Sequence, residues 1–243
     1  MFNNLLLSIY TVALNEAQRK QVERQLAQHQ HTRYNVDIQL SPDKVLRGFI
    51  VNQNVMRPEK MTSLRLARFL WENHHIYRDT EAMDMGCGTG LQGITMTLNG
   101  AAYVYFSDIS VEAFANTVEN VHQFCPKGKA VIVQGDLFEK MPGKVDVIVF
   151  NHPFFPESPE KYEPVAATML DPGTLIQRFF QDSRAHLTKA GKIIMPFFHL
   201  AGTENDPQVQ GPKNGYEVRT MAHVDVIDGL QKGLVSFYEL RPR

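Results

Sequence analysis

Residues 145–156 read Val-Asp-Val-Ile-Val-Phe-Asn-His-Pro-Phe-Phe-Pro, an apolar run that stops at Asn151 and continues into a proline and two aromatic rings. A parallel strand covered by helices on both faces has this near-continuous apolar character. Ligands of open α/β sheets bind just beyond the carboxyl ends of such strands. The stretch therefore predicts an α/β fold in which Asn151, His152, Pro153 and Phe154 line a site.

From residue 80 onward, short apolar strands alternate with helical segments, as expected of a doubly wound, mostly parallel sheet. A polar stretch rich in Gly and Pro, at 201–215, predicts a lid or a surface loop, and β-prone runs follow it at 216–221 and 234–240. The alternation itself predicts strands over 82–85, 103–107, 130–134, 145–150 and 192–196, and helices over 91–98, 110–122 and 174–187.

The first 58 residues have a different pattern, which predicts a small N-terminal extension (1–58) attached to a main domain (59–243). Residues 15–30 predict an amphipathic surface helix with solvated glutamines. Two β-prone runs flank Ser41-Pro42-Asp43-Lys44, a predicted hairpin turn. A further helix is expected to start at Arg57-Pro58-Glu59.

Composition limits the classes of function. The 243 residues carry a formal net charge of −1, which gives no sign of the basic surface that nucleic-acid binding usually needs. Cys87 and Cys125 lie in no metal-binding spacing, and so few thiols predict a cytoplasmic protein without disulfide or structural metal. The apolar residues 5–14 are too short to span a bilayer, so we expect a packed element and no membrane association. Nothing in the sequence specifies the oligomeric state.

A glycine turn follows the first predicted strand: Asp84-Met85-Gly86-Cys87-Gly88-Thr89-Gly90-Leu91. Glycines permit positive φ and let a ligand approach the backbone. The segment Gly88-x-Gly90-x-x-Gly93 also matches the dinucleotide fingerprint. However, the charge of Asp84 would oppose a pyrophosphate and could pair with the cationic amino-acid portion of S-adenosyl-L-methionine. The turn therefore favours S-adenosyl-L-methionine over NAD.

The next two strands end in acidic residues that suit an adenosine. Asp108, followed by Ile109, can accept hydrogen bonds from both ribose hydroxyls. Asp136 can bond the adenine amino group, with Leu137 or Phe138 covering the ring. The predicted cofactor-binding residues are Asp84, Gly86, Cys87, Gly88, Thr89, Gly90, Asp108, Ile109, Asp136, Leu137 and Asn151.

Taken together, these motifs resemble the class I S-adenosylmethionine-dependent methyltransferases over residues 80–240. The resemblance implies a Rossmann-like, seven-stranded sheet whose last strand is reversed. Asn151-His152-Pro153-Phe154 is similar to the Asn-Pro-Pro-Tyr/Phe motif of enzymes that methylate planar nitrogen. In that motif the asparagine side-chain oxygen and the next backbone carbonyl would accept the N–H groups of the acceptor. Pro153 would fix the turn, and Phe154 would offer a flat face.

Within that class, the chain resembles the release-factor glutamine methyltransferases through Arg57-Pro58-Glu59 and the segment 135–139. Three departures are His152 for a proline, Phe154 for a tyrosine and Leu137 for an aromatic residue. The resemblance implies a protein glutamine as acceptor. The alternatives are an exocyclic amine in rRNA or tRNA, a non-catalytic cofactor-binding subunit, and an NAD-linked oxidoreductase. We expect His152 to act through its backbone carbonyl rather than as a general base.

Overall fold

The fold is described from a computed structural model, for residues 13–228 and 231–243. The described residues form helices α1 Glu16–His29, α2 Met61–Glu72, α3 Leu91–Leu98, α4 Val111–Phe124, α5 Thr174–Ser183 and α6 Pro207–Lys213. Their strands are β1 Tyr34–Ser41, β2 Lys44–Val51, β3 Glu81–Met85, β4 Tyr103–Asp108, β5 Ala130–Gln134, β6 Val145–Phe150, β7 Leu187–Phe198, β8 Tyr216–Asp228 and β9 Gln231–Pro242.

A seven-stranded sheet forms the centre, with strand order β5-β4-β3-β6-β7-β9-β8. Neighbours from β5 to β7 pair in parallel, whereas β9 pairs antiparallel with both β7 and β8. The predicted α/β class and the reversed final strand are confirmed. From β3 the chain builds the sheet outward first on one side, through β4 and β5, and then on the other, through β6 and β7. At such a switch point the carboxyl ends of β4, β3 and β6 border a crevice.

The glycine at position 93 illustrates how closely helix and strand pack in this sheet. It lies in the first turns of α3, and a Cβ added there would come within 2.1 Å of a ring carbon of Phe106 on β4. Gly93 is therefore explained by packing, although it also completes the dinucleotide-like pattern of the sequence.

Several predicted boundaries in the second half of the chain were wrong. The helix predicted over 174–187 ends at Ser183, and β7 begins at Leu187 and continues to Phe198. The stretch 201–215 is not wholly loop, because it contains α6, whose first turn is capped by the Asp206 side chain. The last two strands are about twice as long as predicted, since β8 and β9 pair with each other by backbone hydrogen bonds along the whole hairpin.

The N-terminal extension packs on the sheet domain through its hairpin. The turn between β1 and β2 lies at residues 42–43, as predicted. Two asparagines of α4 accept hydrogen bonds from the end of β2 and the residue after it: Ile50 N–H donates to Asn120 Oδ1 at 2.9 Å and Asn52 N–H to Asn116 Oδ1 at 2.8 Å. These bonds dock the hairpin on the helix that follows the second strand of the main domain.

Two further expectations for the extension need correction. Helix α2 begins at Met61 rather than Arg57, and Arg57 and Glu59 form an ion pair at 2.7 Å ahead of the helix. Three of the four glutamines of α1 are not solvated, since Gln18, Gln21 and Gln25 are buried. Residues 5–12, most of the apolar stretch near the start of the chain, lie outside the described residues. Within the described ranges, no helix combines the length and apolar content that crossing a bilayer requires.

Candidate active site

A cavity of about 380 Å³ lies at the carboxyl ends of β3, β4 and β6. It contains most of the predicted cofactor-binding residues and two from the predicted acceptor motif, Asn151 and Pro153. These lining residues are Asp84, Gly86, Cys87, Gly88, Thr89, Asp108, Ile109, Asn151 and Pro153. The structure thus brings together two motifs that are more than 50 residues apart in the chain.

The glycine turn forms one wall of this cavity, and its backbone requires glycine. Gly86, Gly88 and Gly90 have φ values of 60°, 56° and 82°. No atom lies within 4 Å of a Cβ added to Gly88, so the space there opens into the cavity. Gly90 caps α3 and does not line the cavity, and a Cβ there would approach Thr117 to 3.2 Å. Its role is to shape the turn.

Two carboxyl groups hold this turn in place, that of buried Asp84 and that of half-buried Asp108. Asp108 Oδ2 accepts the Gly88 N–H at 2.9 Å, and its Oδ1 accepts the Ser110 N–H at 3.0 Å. Asp84 Oδ2 accepts the Gly93 N–H at 2.8 Å. Burial raises the pKa of the Asp84 carboxyl well above its usual range. Because its charged form lacks a cationic partner among the described residues, a cationic group entering the cavity would stabilise that form.

Cys87 is a packed thiol in the same turn. It is buried, its sulfur lies 3.3 Å from Thr117 Oγ1, and burial raises the pKa of the thiol well above its usual range. A raised pKa keeps the sulfur protonated, so Cys87 is a poor nucleophile.

The structure does not bring two predicted cofactor residues, Asp136 and Leu137, to this cavity. Asp136 forms an ion pair with Arg178 at 2.5 Å and lines a separate groove. Leu137 is buried, has a φ of 47°, and accepts the Ser107 hydroxyl with its carbonyl oxygen. Neither residue lines the larger cavity, and Arg178, distant in sequence, binds the Asp136 carboxylate.

A second, narrow cavity of about 30 Å³ adjoins the first. The two cavities share Met56, Ser63, Asn151 and Thr168. Beyond this shared wall, the narrow cavity is lined by aromatic rings, by Met169, and by polar residues of the N-terminal extension and of the start of α2. These residues are Gln25, His29, Arg57, Lys60, Thr62, His152, Phe154, Phe155, Met169 and Phe198. Asn151 thus lies where the larger cavity meets the narrow one.

The side chain of Asn151 is oriented by one hydrogen bond and leaves its oxygen unpaired. Its Nδ2 donates to Ser63 Oγ at 3.1 Å, across 88 residues of sequence. Its Oδ1 is buried and has no hydrogen-bond partner among the described residues. A buried polar atom without a partner costs free energy, so this oxygen is held ready to accept a donor from a ligand.

His152 and Phe154 belong to an aromatic cluster behind Asn151. The His152 and Phe154 rings meet edge to face with centroids 5.1 Å apart, and both pack against Phe197. His152 Nε2 lies 2.9 Å from the Asn205 carbonyl oxygen, so this nitrogen carries the hydrogen and donates it. Burial lowers the pKa of His152 to about 4. The imidazole is therefore a neutral, weak base near pH 7.

This buried imidazole predicts a loss of stability in mild acid. Its pKa is 6.5 in the unfolded chain and about 4 in the fold, so the unfolded state binds the proton first as the pH falls. Its contribution is complete above pH 6.5 and is lost toward pH 4. Between pH 7.5 and 5.0 we expect His152 to lower the free energy of unfolding by about 2 kcal/mol.

The measurement is urea denaturation of wild type and His152→Gln at both pH values. The glutamine amide can still donate to the Asn205 carbonyl, but it does not titrate. We expect the variant to lose about 2 kcal/mol less than wild type over this interval. Equal losses in the two proteins would contradict a buried, neutral His152.

Sequence reasoning missed several residues that line the two cavities. Ser63 gave no signal because a single serine in a helix is unremarkable without its partner. His29 and Gln25 sit in a polar segment that is typical of a solvated helix face. Two further segments that contribute to the larger cavity, 54–56 and 164–168, contain no motif.

Comparison with known proteins identifies a family that matches this chain. Residues 62–199 match the family described as the methyltransferase small domain. Over 160 residues, the chain is 28% identical to a release factor glutamine methyltransferase of Leptospira interrogans, covering 60% of this chain and 56% of that protein. Over 127 residues it is 29% identical to ribosomal RNA small subunit methyltransferase C of Pseudoalteromonas translucida, covering 52% of this chain and 33% of that protein. The chain thus spans between a third and about half of these relatives.

Among solved structures, the fold is similar to the 16S rRNA N2 G1207 methyltransferase of T. thermophilus in complex with AdoMet and guanosine. The TM-score is 0.64 at 18% sequence identity, over 88% of this chain and 51% of that chain. At this identity the likeness concerns the fold alone.

Proposed function

The chain belongs to the methyltransferase small domain family, and we propose that the nitrogen it methylates, with S-adenosyl-L-methionine as donor, is the side-chain amide of a protein glutamine. The seven-stranded fold and the cavity at the carboxyl ends of β3, β4 and β6 suit this family. The choice of acceptor rests on Asn151 and on the narrow cavity beside it.

The residues of the larger cavity fit the cofactor. The open space at Gly88 admits a ligand close to the backbone, and Asp84 offers a carboxylate to an ammonium group. Each Asp108 oxygen already accepts one backbone N–H and has a second lone pair for a ribose hydroxyl. When bound, S-adenosyl-L-methionine supplies a methyl group that is activated by the positive charge on its sulfur.

The unpaired Oδ1 of Asn151 is the observation that carries the proposal. An amide nitrogen is a weak nucleophile because its lone pair is delocalised. Oδ1 can accept one N–H of the amide, and the His152 backbone carbonyl can accept the other. Both contacts turn the lone pair toward the larger cavity and stabilise positive charge that develops on the nitrogen. No strong base is required, which agrees with the lowered pKa of His152.

The size of the narrow cavity favours an amide over a nucleobase. A water molecule needs roughly 10–15 Å³ of such space, so a cavity of about 30 Å³ accepts the end of a side chain more readily than a ring system. The formal net charge of −1 also disfavours a nucleic-acid acceptor. An exocyclic amine in RNA remains the second candidate, since one relative is a ribosomal RNA methyltransferase.

The test is to incubate the protein with methyl-labelled S-adenosyl-L-methionine and cell lysate, and then to treat separate samples with protease and with nuclease. We expect label that protease releases and nuclease does not, and that appears on glutamine after digestion. A sample with Asn151→Ala provides the background. Nuclease-released label would establish the RNA acceptor, and no label in any fraction would favour a non-catalytic role.

We also propose a cytoplasmic location. Cys87 and Cys125 are both free, and the first is buried. Free thiols in a protein of this size are consistent with a reducing compartment.

A further inference from the structure

The inner face of α1 is unusually polar for a buried helix surface. Gln18, Gln21, Gln25 and His29 recur at helical spacing and are 7%, 0%, 5% and 4% exposed. Burying polar side chains is costly unless they form hydrogen bonds. Gln18 completes a capping box with Asn15. The two residues at the C-terminal end of the face, Gln25 and His29, line the narrow cavity instead.

The tautomer of His29 follows from its one hydrogen bond. Its Nδ1 accepts the Arg57 N–H at 3.0 Å, so in the neutral ring the hydrogen is on Nε2. Burial lowers the pKa of His29 to about 4, which keeps the ring neutral near pH 7. No described residue accepts a hydrogen bond from Nε2. The ring therefore brings an unused donor to the cavity.

Gln25 lies one helical turn before His29 and is in the same situation. Its side chain is nine-tenths buried, lines the cavity, and forms no hydrogen bond with any described residue. The narrow cavity thus has unused donors on its α1 wall and an unused acceptor, Asn151 Oδ1, on its β6 wall. A primary carboxamide has the complementary groups, because its NH₂ donates and its carbonyl oxygen accepts.

We propose that Gln25 and His29 bind the carbonyl oxygen of the acceptor carboxamide while Asn151 holds its nitrogen. This inference rests on the proposed glutamine acceptor and assigns the residues that select it. Because the carbonyl oxygen takes no part in bond formation to the methyl group, these residues act in acceptor binding. A side chain that ends in a carboxylate lacks the NH₂ group. It can accept hydrogen bonds from Gln25 and His29, but it cannot donate one to Asn151 Oδ1.

Two substitutions at His29 separate recognition from structure. His29→Asn retains an acceptor near the Nδ1 position for the Arg57 N–H, but it removes the Nε2 donor. His29→Gln places an amide donor near the Nε2 position. The exposed His122→Asn on α4 is the matched control, since it lines neither cavity. Thermal melting of all three shows whether each variant is folded.

The probe is N-acetylglutamine N-methylamide, titrated by NMR into protein saturated with S-adenosylhomocysteine, and the corresponding glutamate compound is the comparison. We expect His29→Asn to weaken binding of the glutamine probe roughly 5- to 10-fold, the effect of one lost hydrogen bond. His29→Gln and His122→Asn should stay within about threefold of wild type, and the glutamate compound should bind more weakly than the glutamine probe.

Equal binding to wild type and His29→Asn would overturn the inference, as would no binding of the probe to wild type. The same variants in the labelling experiment with lysate keep the two ideas apart. If wild type labels glutamine and His29→Asn labels it equally fast, the role of His29 is wrong and the proposed function stands. If wild type labels no protein, the proposed function itself fails.

Discussion

Asn151→Ala is expected to lower the rate of methyl transfer by a factor on the order of 10² to 10³, the loss typical of removing one preorganised group that stabilises developing charge. The alanine removes Oδ1, the buried oxygen that has no partner among the described residues. Asn151 also lines the larger cavity, so affinity for the cofactor should fall as well, but only a few-fold. Single-turnover labelling measures the rate, and calorimetric titration with S-adenosylhomocysteine measures the affinity.

Ser63→Ala is the companion variant for this experiment. It leaves Oδ1 in place but removes the hydroxyl that accepts from Asn151 Nδ2. We expect a smaller loss, about 5- to 10-fold, since the amide can then rotate. If Asn151→Ala turned over like wild type, the assignment of Asn151 to the acceptor nitrogen would be wrong.

Asp84→Asn is expected to weaken binding of S-adenosyl-L-methionine by roughly 30-fold or more, since removing one member of a buried charge pair costs about 2–5 kcal/mol. The amide oxygen can still accept the Gly93 N–H, so the turn should keep its shape. Asp225→Asn, exposed on β8, is a matched control with the same loss of charge.

The raised pKa of Asp84 adds a dependence on pH. In the free protein burial favours the protonated carboxyl, whereas a bound ammonium group favours the carboxylate. Binding should therefore release a proton and strengthen as the pH rises, and Asp84→Asn should lose this dependence. Calorimetry in two buffers of different ionisation enthalpy measures the proton release. Equal affinity and equal proton release in both proteins would refute the ion pair.

The parts of the fold predicted best from sequence were those set by local pattern. The apolar run of β6 is buried on both faces, and the glycine turn before α3 depends on backbone angles that few other residues adopt. The reversed strand β9 followed from the resemblance to a known class. The apolar run and the glycine turn are each visible within a dozen residues of sequence, whereas the reversal of β9 is not.

The features that were missed depend on contacts between distant segments. Asp136 pairs with Arg178, 42 residues later, and does not line the larger cavity. The polar face of α1 looks solvated in sequence. Only the fold shows that this face is buried and that Gln25 and His29 line a cavity. The bond between Ser63 and Asn151 likewise joins two residues that no periodicity relates.

The shared wall between the two cavities has a consequence for any attempt to treat the protein as modular. Residue 59 looks like a natural point at which to divide the chain, yet residues before it line the cavities. Met56 lines both cavities, and Gln25 and His29 line the narrow one. A recombinant piece that starts there would keep the glycine turn but lose part of the rim around both ligands. Grafting the extension of a relative onto this sheet would consequently exchange acceptor preference and part of the cofactor enclosure in a single step.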